Sequence, residues 1–135
     1  MNYLTFPFEK SASLLIKTDA EKKIIVVEVA ESEIEIFQSL NYRTQKEFTR
    51  PLALKFTGPL VQSLSLQQFK FDAEQFLIES ETNRVRGIQQ IKKTSAQGKY
   101  IQSYAGFSLA IIAPIGFAKK FGIILNKTII TIKNK

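Results

Sequence analysis

The sequence predicts a mainly β fold, a small barrel-like or jelly-roll-like sandwich with one α-helix at about 32–42 and a short helical turn at about 115–121. Two observations lead there. Short apolar runs recur along the chain and are separated by turn residues at roughly 8–12-residue intervals, the spacing of sandwiches and barrels. Only two segments break that rhythm with helical patterning. The chain has 135 residues, 44% of them apolar, which suits a single domain, 1–135, with one real core.

The elements follow in order. Tyr3 to Phe8 alternates in the manner of an edge strand, with Pro7 confining it to an edge. Ser13 to Thr18 is a second short apolar run, closed by the turn Asp19-Ala20-Glu21-Lys22. Lys23 to Ala30 carries three Val and two Ile, the strongest strand signal in the chain, and its nearly unbroken apolarity predicts burial on both faces. Ser32 then caps a helix and Glu35 completes a capping box, with Ile36, Phe37 and Leu40 as its buried stripe. Leu52 to Phe56 and Leu60 to Leu66 read as strands around the turn Thr57-Gly58-Pro59. Gln75 to Ser80 is a strand ending at Thr82-Asn83. Val85 to Lys93 is another, and the three-residue spacing of Ile88 and Ile91 predicts a bulge. After the loop Thr94 to Gly98, Tyr100 to Ala113 supplies one or two strands around Gly106. Pro114 and Gly116 lead into a helical turn with Phe117 and Phe121 on one face and Lys119 and Lys120 on the other. Gly122 stops that turn, and Lys127 to Lys133 is the closing strand.

Composition narrows the chemistry. There is no Cys, His or Trp. Disulfides, thiolate nucleophiles and the usual neutral-pH base are therefore excluded, and so are the donors that transition metals prefer. No glycine-rich loop has phosphate-binding spacing. The expectation is no cofactor and no metal. Ser63 and Ser65 have no His to activate them. The first residues, Met1 to Glu9, lack the pattern of a secretory leader, and no apolar run is long enough to span a bilayer. The chain reads as cytoplasmic.

Charge is segregated. Residues 1–81 hold all 12 acids and 9 bases, whereas residues 82–135 hold 10 bases and no acid. The plain reading is solubility with lysines guarding strand edges. The sharper one is a polyanion or nucleic-acid patch at Lys92, Lys93 and Lys99, with Tyr100 and Tyr104 as stacking platforms. Strand alternation predicts that Arg84, Lys92, Lys99 and Lys127 scatter around the barrel.

Three segments belong together: Val27-Glu28-Val29-Ala30-Glu31-Ser32 followed by Gln38-Ser39-Leu40-Asn41-Tyr42-Arg43, then Phe76-Leu77-Ile78-Glu79, then Pro114 to Ile123. In this order they resemble the family known as domain of unknown function 192. They match the family's valine-glutamate-x-alanine and tyrosine-arginine motif, its middle strand, and its proline-x-glycine helix. The resemblance covers about residues 23–132. It implies a small β-rich prokaryotic domain of unsettled biochemistry. The departures fall where a site would be. The family's tryptophan-to-threonine motif is replaced by Leu64-Ser65-Leu66-Gln67-Gln68-Phe69, and Glu74 stands where the family has aspartate.

Candidate ligand-binding residues are Arg43, Gln67, Gln68 and Glu74. Arg43 and Glu74, both at charged motif positions, are expected to form an ion pair. Asp72 and Glu74, two apart, would share one side of a strand and could hold a proton or a cation between them. The reading that follows is a non-catalytic binding or accessory domain. The alternatives are a carboxylate enzyme around Glu74 and Arg43, or a polyanion binder using the basic C-terminal part.

Overall fold

The computed structural model describes residues 10–56, 63–66, 70–93, 99–102, 106–107 and 109–134. The expected Tyr3–Phe8 strand, the 57–59 turn, the 94–98 loop, Tyr104, Gln67 and Gln68 lie outside the described residues.

Among the described residues, nine strands and two helices follow in the order β1 (Ser11–Lys17), β2 (Lys22–Ala30), α1 (Glu33–Asn41), β3 (Leu52–Lys55), β4 (Ser63–Leu66), β5 (Ala73–Ile78), β6 (Val85–Ile91), β7 (Lys99–Gln102), β8 (Leu109–Ala113), α2 (Phe117–Phe121) and β9 (Ile129–Asn134). Seven strands form one sheet in the order β6-β5-β8-β3-β2-β1-β9, and β4 and β7 form a separate antiparallel ribbon. The mainly β expectation holds. β2 and β3 pair in parallel, and α1 lies in the crossover such a pair requires.

The sheet curls until its outer strands touch at one place. Arg84 bridges Ile129. Val85 N–H donates to Thr128 O at 2.9 Å, and Ile130 N–H to Asn83 O at 2.8 Å. β6 and β9 are not joined along their length, so the sheet stops short of a closed barrel.

Side-chain alternation divides the core between the two faces. Leu52, Leu54, Ala110 and Ile112 pack with Ile36 and Leu40 of α1, and with Phe48 and Phe71. Ala53, Ile111, Ala113 and Phe76 point the other way, to Val27, Val29, Leu14, Ile130 and Phe117 of α2. Burying large apolar side chains on both faces stabilises by about 1.5–3 kcal/mol each.

Two expectations need correction. β2 is buried only over Val27–Ala30, while Lys22–Ile24 and Val26 are exposed. Only that end is covered, because β3 pairs with β2 at Glu28, Val29 and Ala30 alone. The bulge in β6 lies at Arg86, since Leu77 faces Gly87 and Ile78 faces Val85. Ile88 and Ile91 follow regular alternation; one is exposed and the other buried.

Candidate functional site

α1 starts as its sequence requires. Ser32 Oγ accepts from Glu35 N at 3.1 Å, and Glu35 Oε1 accepts from Ser32 N at 3.3 Å. α1 then delivers Arg43 back over the sheet. Arg43 and Glu28 are both 0% exposed, and Arg43 Nη2 donates to Glu28 Oε2. Burial holds the Arg43 guanidinium below its usual range; the hydrogen bond and charge of Glu28 oppose that shift. Polar Ser39, Asn41 and Gln75 are also buried.

Glu74 does not meet Arg43. One row of paired residues runs Glu28, Leu52, Ile112, Gln75 across β2, β3, β8 and β5. Partners in a row face the same side, so Gln75 shares the α1 face with Glu28 and Arg43. Its neighbour Glu74 faces the opposite side. There Glu74 Oε2 accepts from Gly116 N at 3.1 Å and Oε1 from Ala118 N at 2.9 Å. Glu74 is the cap of α2. Gly116 has no side chain to cap with, and its φ of 94° favours glycine.

Asp72 and Glu74 have different partners. Asp72 Oδ1 accepts from Lys93 N at 2.9 Å, just before β5 begins. Among the described residues, no three His, Cys, Asp or Glu side chains converge in a way that could hold a metal ion. Glu79 is held below the usual carboxylate range, first by the Thr82 hydroxyl and then by Arg86. Glu31 is lowered chiefly by its hydrogen bond from Lys10, with Lys55 adding to it.

The expected scatter of cations is only partly seen. Ile91 faces Ala73, and the next residue, Glu74, faces Ala113. Lys92 and Lys93 therefore leave the sheet at the end where α2 carries Lys119 and Lys120. Arg84 lies at the other end of β6. Lys99 is on β7, outside the seven-stranded sheet.

An open groove of about 390 Å³ lies at the α2 end, lined by Ile25, Val26, Thr49, Arg50, Pro51, Pro114, Ile115, Gly116, Phe117, Lys120 and Phe121. It has two cations, no acid and a largely apolar wall. Lys23 and Lys120 place their Nζ atoms 5.5 Å and 5.4 Å from the Phe121 ring centre. Sequence reasoning missed this groove. The signal for it was Pro51, which has no N–H to donate to a strand ladder.

No family model matches the chain, and no curated protein does. Two crystal structures are similar. One is of a candidate transcription regulator from Sinorhizobium meliloti, 15% identical, with a TM-score of 0.70 over 90% of this chain and 93% of that one. The other is of a protein of unknown function from Novosphingobium aromaticivorans, 12% identical, with a TM-score of 0.69 over 88% of this chain and 83% of that one. At such identities the likeness establishes the fold alone.

Proposed function

We propose that this chain is a non-catalytic binding or accessory domain. The observation that carries the reading is that the candidate acids Asp72 and Glu74, and with them Glu28 and Glu79, already have structural work. Glu28 is closed onto Arg43, Glu74 caps α2, Asp72 holds Lys93 N–H, and Glu79 holds Thr82 and Arg86. A general acid or base must reach a substrate proton; these carboxylates are spent on the fold. The open groove presents cations and apolar surface instead.

The chain is also, in this reading, a divergent member of domain of unknown function 192. Glu28 and Arg43, two residues of the resembling motif, are partners, which gives the motif's glutamate and arginine a common physical reason.

The purified chain should not turn over chromogenic esters, phosphate esters or glycosides. Turnover abolished by Glu74→Gln would overturn the non-catalytic reading and restore the carboxylate enzyme.

A further inference from the structure

We infer that the groove beside β2 takes an extended, acidic peptide segment of a partner protein, which adds as a strand to the open edge of β2. This deepens the binding-domain reading and rests on it.

The edge is left open by a proline. β2 pairs with β1 from Lys22 to Glu28, but with β3 only from Glu28 onward. Glu28 N–H donates to Pro51 O at 3.0 Å. In a parallel ladder the next bond down would run from the N–H of residue 51 to Val26 C=O. Pro51 has no N–H, so the ladder ends there. The chain before it leaves the strand line toward the α1 face, where Phe48 is buried.

What remains is a slot with directional groups. Val29 N–H bonds Lys10 O on the β1 side, and Glu28 N–H bonds Pro51 O on the β3 side. By alternation, the N–H and C=O of Val26 and Ile24 point with those of Glu28, into the slot. Among the described residues, no strand pairs with them on that side. Ile24 is 72% exposed and Val26 43%. The opposite wall is the exit of β8, Pro114 to Phe117. β3, the strand that elsewhere separates β2 from β8, stops above, so the slot is one strand wide.

Charge selects the occupant. Arg50 and Lys120 line the slot and Lys23 flanks it, with no acid in the lining. A second copy would bring Lys22 and Lys23 against the same lysines, which is unfavourable. A strand whose alternate side chains are apolar and acidic satisfies both walls. Its apolar face meets Phe117 and Phe121, its carboxylates meet Arg50 and Lys120, and its backbone completes the Ile24 and Val26 bonds.

The test is a synthetic peptide, roughly six residues long to match Lys22–Val27, alternating valine and glutamate with blocked ends, titrated into the isotopically labelled full chain. The amides of Ile24 and Val26 should shift and become protected from solvent exchange. Lysine in place of glutamate, or N-methylation of the peptide backbone, should abolish the effect. Arg50→Glu combined with Lys120→Glu, at one half-buried and one exposed position, should weaken binding by about tenfold or more, with an unchanged amide spectrum elsewhere showing that the fold is kept. The inference is overturned by an absence of binding at millimolar peptide, by Ile24 and Val26 amides that stay unprotected at saturation, or by equal binding of the N-methylated peptide. It is equally overturned if those amides become protected through self-association or on anionic vesicles and not with the peptide. Any of these leaves the non-catalytic reading standing, because that reading falls only on turnover.

Discussion

Arg43 and Glu28 lie 15 residues apart in sequence and meet in the buried interior, where opposite charges support each other. Removing one takes the opposite charge away from a buried ionic group. Arg43→Met or Glu28→Met alone should cost about 3–5 kcal/mol, whereas the double replacement should recover most of that loss. A double-mutant cycle in urea measures it; additive single costs would refute the coupling. Half of this pair was legible in the sequence. A glutamate inside the apolar run Ile24 to Ala30 requires a cation. The identity of the cation was not legible, because the α1 crossover sets it. Motif position pointed to Glu74, and a single step of strand alternation puts Glu74 on the opposite face.

At the scale of elements, α2 shows what a short helix needs. Its five residues are too few to form alone, so a strand supplies the cap its own sequence lacks. Glu74→Ala should destabilise the chain by about 1–2 kcal/mol and speed hydrogen exchange at Gly116 and Ala118. Glu74→Gln, which keeps one acceptor, should fall between. If Glu74→Ala leaves exchange at those two amides unchanged, the carboxylate is not the cap. Both helices were readable from local chemistry, a capping box for α1 and the glycine stop for α2, where Gly122 has φ 65°. Strand existence was readable from apolar runs, as with β3 and β9. The length of β2's burial was not, because it depends on where a neighbouring strand begins.

For the whole molecule, the separation of charge in the sequence is only partly a separation in space. Arg86 is tied to Glu79 and Asn126, and Lys10 and Lys55 both hold Glu31. Lys92, Lys93, Lys119 and Lys120 remain at one end of the sheet. Binding to a generic duplex should be measurable at low salt and weaken to roughly 10–100 μM or worse at physiological salt, as counterion release dictates. Fluorescence anisotropy reads this directly, and sub-micromolar binding that survives salt would promote the polyanion reading above the peptide slot. The mainly β class was plain from the rhythm of short strands. How far the sheet curls was not, because that depends on long-range pairing such as Arg84 with Ile129.

The register that sets Ala12 opposite Asn134 has a topological consequence. Facing residues of an antiparallel pair lie about 5 Å apart, so the chain path almost meets itself there. The stretch from residue 12 to residue 134 thus enters and leaves the sheet by a single doorway.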